Sequence, residues 1–401
     1  MNDTAAPLRR ENLAPLQIVR ALCIIAVLCV HSTSNAIAEM KESNYYLVYN
    51  FLNTFMRYGT PTFIFLSSFV LFYNYYEAPL TGGRIGRFYG RRLKFILLPY
   101  FLFSVFYYLV AYELNHYDLS LAEAIGQFGR KALVGKAFFH LYFVFVNVQF
   151  YLFFPLALWT LKKVPGLLKW CIPLGLALEY GFVLLNKYDW HVTHPGSWML
   201  SYVAYYLLGA YLGSCFPRIK GWIVASRDNA TKARVAFWVL IWGGWLAAAL
   251  SHVFVYYQQR MYGTRYNTLL YDFLWNAHTY LGVVVLIQIA FFIHRRLSKR
   301  ALRMLSLLGS LSFGIYLIHP FFLVVYESHP PSTGNSMLIH AWYAGKFLIV
   351  LGCSWLTVGL AARYFPFSWI FFGNSSLREV GKARRVSDPG ETGKGGAWHA
   401  D

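Results

Sequence analysis

Leu16-Gln17-Ile18-Val19-Arg20-Ala21-Leu22-Cys23-Ile24-Ile25-Ala26-Val27-Leu28-Cys29-Val30-His31 is an apolar run broken by one glutamine and one arginine and closed by a histidine. Extended to residue 38, it supplies the roughly 20 mostly apolar residues that a helix needs to cross the hydrocarbon core of a bilayer. Only a helix or a closed barrel satisfies its backbone there, because lipid offers no hydrogen bonds. Comparable stretches recur near 17–38, 47–73, 95–113, 138–160, 170–186, 198–215, 235–257, 272–293, 308–326 and 339–362. The expected fold is therefore all-α: a polytopic transmembrane helical bundle of about ten spans.

Composition agrees. The chain of 401 residues is 57% hydrophobic and 13% charged, against about 25% charged in a soluble domain, which is too little to build a water-facing surface. The 31 Tyr and 13 Trp suit headgroup-level belts, since each ring is apolar with one polar atom. The net charge of +19 falls mainly in alternate loops, with a bias of about three to one, the pattern of cytoplasmic loops in membrane proteins. That bias places both termini in the cytoplasm and makes nucleic acid an unnecessary explanation of the charge. Cys23, Cys29, Cys171, Cys215 and Cys353 lie in or beside apolar stretches without CxxC spacing, and read as small buried hydrophobes. The expected organisation is a cytoplasmic segment over 1–15, a membrane domain over 16–372 and a disordered cytoplasmic tail over 373–401. A signal peptide cleaved near Ala36-Ile37-Ala38 is the rival reading of the first stretch; the length of the run argues against it.

Ionisable groups in lipid are costly, so each is a candidate for function. Arg20 and His31 stand eleven positions apart, about 20° past three full turns, on one helix face and roughly 16 Å apart along the axis. Imidazole titrates near neutrality and can take a proton from a hydroxyl; a packing histidine with a snorkelling arginine is the plainer alternative. Arg84-Ile85-Gly86-Arg87-Phe88-Tyr89-Gly90-Arg91-Arg92-Leu93-Lys94 concentrates cations at a helix entrance, suited to phosphate or to positive-inside topology and anionic lipid. Arg57, Asn147, Gln149, Glu179, Asp272, Asn276, His278 and His319 fall within spans, where helix–helix hydrogen bonding is the expected role. No metal-binding or Walker pattern occurs, so no metal is expected.

These residues resemble acyltransferase family 3, the polytopic O-acyltransferases of bacterial envelope glycans. The resemblance begins with Arg20 and, after ten intervening residues, His31. It continues through Gly59-Thr60-Pro61-Thr62-Phe63-Ile64-Phe65-Leu66-Ser67-Ser68-Phe69, Arg91-Arg92 with Leu98-Pro99-Tyr100, and His140-Leu141-Tyr142-Phe143, and ends with Ser312-Phe313-Gly314-Ile315-Tyr316-Leu317-Ile318-His319-Pro320. Ser68 stands where the family usually has Gly and Tyr142 where Trp is common, and the basic motif lacks its last Arg.

The resemblance implies a stand-alone acyltransferase over 16–372 in the bacterial cytoplasmic membrane. It would move an acetyl or succinyl group from cytoplasmic acyl-CoA, a donor substrate and not a bound cofactor, to a hydroxyl of an extracytoplasmic envelope carbohydrate. His31 and Arg20 would be catalytic, Arg91, Arg92 and Lys94 would hold the acyl-CoA, and polysaccharide-assembly proteins are possible partners. Direct transfer and an acyl-enzyme on His31 both stay open. Two other classes remain: a glycan exporter or flippase, and a non-catalytic partner of a polysaccharide synthase.

Overall fold

The computed structural model describes residues 13–116, 118–332 and 336–374, and the described residues contain no strand. Arg9, Arg10 and nearly all of the expected tail lie outside the described residues. The helices are α1 (Pro15–Thr33), α2 (Ala36–Glu39), α3 (Tyr46–Phe55), α4 (Gly59–Tyr75), α5 (Gly82–Arg92), α6 (Leu98–Leu114), α7 (Leu121–Ala132) and α8 (Tyr142–Lys163). They continue with α9 (Cys171–Leu185), α10 (Val203–Ile223), α11 (Lys232–Tyr262), α12 (Thr268–Arg296), α13 (Lys299–Glu327), α14 (Ser336–Tyr364) and α15 (Ser368–Phe372).

Among the described residues, nine helices are long and apolar enough to cross a membrane. The stretch expected over 47–73 is helical but divided: a 3-10 turn at Met56–Tyr58 separates α3 from α4. Its two halves nevertheless make one traverse. Asn53 reaches the Val30 carbonyl near one end of α1, and Gly59 abuts Cys23 and Val27 halfway along it.

Pairing of residues gives the helix directions. Gln17 meets Gly309 and His31 meets His319, so α1 and α13 run parallel; Phe65 meets Gly209 and Phe69 meets Gly213, so α4 and α10 do too. A methyl built on Gly209 would lie 2.6 Å from the Phe65 carbonyl oxygen, and one on Gly213 would overlap the Phe69 carbonyl. Small residues allow this backbone approach, which is how helices pack where lipid removes the hydrophobic drive. Ser68 exploits the gap, being fully buried opposite Gly209 and donating to the Tyr206 carbonyl at 2.6 Å.

Burial separates centre from rim. Of the most apolar window of each helix, 61% is buried in α1, α10 and α13 but 22% in α9 and α14. Helix α1 packs against α3, α4, α12, α13 and α14; cleavage after it would remove the middle of the fold. Trp170 and Trp190, both exposed, flank α9 at its two ends as interfacial aromatics do. Outside the core, capping replaces packing: Asn267 and Ser298 accept from the first-turn amides of α12 and α13, and Ser120 with Glu123 forms a capping box on α7. All five cysteines are free; Cys23, Cys29 and Cys171 are buried, whereas Cys215 and Cys353 are only half-buried.

Candidate active site

His31 occupies the last turn of α1, half-buried, and its ring meets two others: Phe139 at 5.0 Å and His319 at 5.3 Å between centroids. His319 in turn lies 5.6 Å from His140. Three segments distant in sequence, the end of α1, the loop entering α8 and the middle of α13, thus bring three imidazoles to one place.

Pro320 explains how His319 is held. Proline lacks the amide that would bond the Tyr316 carbonyl and so opens a turn of α13. His319 fills that vacancy, its Nδ1 lying 2.7 Å from the Tyr316 oxygen. A carbonyl only accepts, so Nδ1 carries the proton, and in the neutral ring Nε2 keeps its lone pair. That Nε2 is buried without a hydrogen-bond partner. Tyr107 spans the same opened turn, donating to the Leu317 carbonyl at 2.8 Å and accepting from the Phe321 amide at 3.1 Å. Tyr107→Phe should leave both backbone groups unsatisfied at a cost of about 1–3 kcal/mol, read as a lowered thermal unfolding midpoint; an unchanged midpoint would show that the turn does not need the hydroxyl.

His140 is fully buried, and neither ring nitrogen makes a hydrogen bond of ordinary geometry; the ring faces the Leu317 carbonyl that Tyr107 already engages. Tyr316 fixes its backbone by donating to the His140 carbonyl. The His31 ring has no hydrogen-bond partner among the described residues, and no carboxylate stands behind it. Phe139, 51% exposed, separates His31 from a cavity of about 580 Å³ whose walls include Lys136, Tyr142, His194 and Ser197. A hydroxyl-bearing molecule in that cavity would meet the His31 ring once Phe139 turned aside.

Helix α1 is unbroken from Pro15 to Thr33, so Arg20 shares the face of His31 but lies at the other end, its Nη1 3.4 Å from Gln17 Oε1. Between them the face is closed: Ile24 is 0% and Val27 4% exposed. Arg91, Arg92 and Lys94 also lie at the Arg20 end, but they do not converge as the sequence suggests. Arg92 turns inward, its guanidinium carbon 4.6 Å from the Tyr151 ring centroid and 5.3 Å from that of Phe88. Lys94, on the π-helical turn Leu93–Leu97, sits 4.1 Å from the Trp369 ring. Arg91 is exposed and has no aromatic ring against it among the described residues. Successive helical positions point about 100° apart, which disperses what looks like one cluster in the sequence.

Several in-span polar residues act as inter-helix ties. Gln149 bonds the Ser197 carbonyl at 2.8 Å, Glu179 accepts from the Ala204 amide at 2.9 Å, and Asn276 accepts from Tyr205 at 2.8 Å. Among the described residues no group of three or more His, Cys, Asp or Glu is arranged to hold a metal ion. His140 and His319 are the site residues that position in the sequence undervalues. Their signal was present, since each sits in a motif with a tyrosine, but single in-span histidines carry no information about which ring they face.

A family model described as an acyltransferase domain matches residues 14–359. The chain is similar to a Staphylococcus aureus (strain MSSA476) protein described as a probable poly-beta-1,6-N-acetyl-D-glucosamine export protein, 24% identical over 87% of this chain and 91% of that one. It is also similar to a Staphylococcus epidermidis protein of the same description, 22% identical over 89% of this chain and 93% of that one. No solved structure matches.

Proposed function

This multi-pass membrane protein belongs to the acyltransferase family, and on that premise we propose that it transfers an acetyl or succinyl group from cytoplasmic acyl-CoA to a hydroxyl of an envelope carbohydrate. The bacterial cytoplasmic membrane is the proposed location, with the Arg20 end of the bundle in the cytoplasm. Polysaccharide-assembly proteins are the proposed partners, since the staphylococcal relatives are described as polysaccharide export proteins.

The observation that carries the reading is the half-buried His31 ring, without a hydrogen-bond partner among the described residues and one aromatic side chain away from a cavity. In the proposed reaction His31 takes the proton of the acceptor hydroxyl as its oxygen bonds to the thioester carbonyl carbon. The tetrahedral oxyanion then collapses, the carbon–sulfur bond breaks, and the imidazolium returns the proton to the coenzyme A thiolate. His319 meets the His31 ring, and His140 stands against His319. At the other end Arg20 and Arg91 offer guanidinium groups for the phosphates of the donor.

The test is reconstitution in liposomes, with acyl-labelled acyl-CoA on one side and an envelope-glycan extract on the other. Label in the glycan supports the reading; label confined to unreacted donor refutes it. Arg91→Ala should raise the KM for acyl-CoA about tenfold with kcat retained, the loss of one charge-assisted contact; an unchanged KM would remove Arg91 from the donor site.

Glycan export is the second reading. It is favoured by the relatives' description and by the division of the α3–α4 traverse, since broken helices are common in transporters. In the same liposomes, export would move labelled glycan across the bilayer with no acyl label incorporated.

A further inference from the structure

A second polar cluster lies beside the His31 end, where α3, α11 and α12 meet. Arg57 sits on the 3-10 turn that divides α3 from α4, and Arg260 lies in the last turn of α11. Both guanidinium groups lie on one ring, that of Tyr256, at 4.4 and 4.8 Å from its centroid. Neither has a carboxylate within ion-pair distance among the described residues. Two fully buried histidines, His252 and His278, adjoin them with Nδ1 atoms 3.2 Å apart, and the Nε2 atom of each is buried without a partner. The Tyr271 hydroxyl is unpartnered as well. Tyr256 and Tyr271 line a cavity of about 430 Å³ together with Arg265 and Asp272, the latter facing Lys187; Arg57 and Arg260 lie on the Tyr256 ring that forms part of its wall.

Gathering like charges without a counter-charge is costly, here two half-buried guanidinium groups against two fully buried imidazoles, and a bound anion would supply the missing charge. Arg260 spends donors on Asn50 at 2.8 Å, Asn53 at 3.0 Å and Thr54 at 3.2 Å. Arg57 spends one, a long bond of 3.4 Å to Asn53. Most of the Arg57 fork is therefore uncommitted, and it sits where the helix is already unwound. A turn of 3-10 helix within a longer helix often marks a functional hinge or local strain.

We propose that Arg57 and Arg260, with His252 and His278 beside them, form a binding site for an oxyanion, a phosphate or carboxylate group, next to the His31 end of α1. Asn53 links the two places: it accepts from both arginines and donates to the Val30 carbonyl at 3.0 Å, one residue before His31. Occupancy of the site is thereby coupled to the end of α1 through a single side chain. The site stands whether or not His31 is the base, and its test does not use acyl transfer.

Full-length purified protein is titrated with inorganic phosphate at constant ionic strength, chloride making up the balance, and its thermal unfolding midpoint is followed. In a parallel arm the protein is placed in phosphatidylcholine nanodiscs with or without phosphatidylglycerol. The midpoint should rise by several degrees with phosphate, with phosphatidylglycerol, or with both; a response to the lipid alone assigns the oxyanion to a headgroup, and a response to free phosphate assigns it to a soluble group. Arg57→Gln should raise the anion-free midpoint, by relieving charge repulsion, and abolish the response. Arg57→Lys, which keeps the charge but not the fork, should weaken the response about tenfold. Equal responses in wild type and variants, no response beyond that of chloride, or an Arg57→Gln protein that is less stable or unfolded would overturn the proposal and make the cluster a structural tie between α3 and α11.

Discussion

His31→Ala should reduce label transfer from acyl-CoA to glycan by about 10²–10⁴-fold, the range for loss of a positioned general base, while leaving the protein folded. The two halves of that expectation have separate grounds. The ring is half-buried, ends its helix and makes no hydrogen bond among the described residues, so its removal strands no polar partner. Its neighbours Phe139 and His319 lose one ring contact each, a small loss beside the packing of α1 against five other helices. The measurement pairs initial rates in liposomes with thermal midpoints in detergent. Transfer at the wild-type rate would end the assignment of His31 as base, and a collapsed midpoint would make it structural. A stable acyl adduct trapped on the wild type but not on His31→Ala would select the acyl-enzyme route over direct transfer.

Gly213→Val should prevent accumulation of folded protein. The first added carbon would overlap the Phe69 carbonyl and press on the Tyr73 amide, both backbone atoms that cannot rotate away. Overpacking commonly costs about 1–3 kcal/mol and more where the surroundings cannot shift, and here the opposing surface is a helix held on its other side by α1 and α12. Size-exclusion chromatography of detergent extracts would show the variant aggregated or absent. A monodisperse variant with the wild-type midpoint would mean that α4 and α10 are not as close as described.

The parts of this fold that could be read from the sequence are those set by local composition. The apolar run from Leu16 to His31, broken only at Gln17 and Arg20, contains all that α1 needs, and the angular relation of Arg20 to His31 follows from helix geometry alone. The division of α3 from α4 could not be read, because Phe55, Met56 and Tyr58 continue the apolar pattern through the turn where the hydrogen bonding changes. The dispersal of Arg92 and Lys94 depends on Tyr151 and Trp369, which reach them from distant helices. His140 and His319 needed the opened turn at Pro320, and the importance of Arg57 needed Arg260 beside it, more than two hundred positions away. The substitution of Ser68 for the glycine usual in the resembling family looks disruptive in one dimension; across the interface Gly209 leaves it room.

The apolar closure at Ile24 and Val27 has an electrical consequence. A living membrane holds a voltage, and each elementary charge that falls through 100 mV releases about 2.3 kcal/mol, so any continuous file of water through this bundle would drain the cell of protons at every moment, working or idle. Along this face of α1, two buried aliphatic side chains at mid-depth leave no room for such a file. In the proposed reaction a donor arriving from the Arg20 end must therefore reach His31 by a route beside this face and not along it.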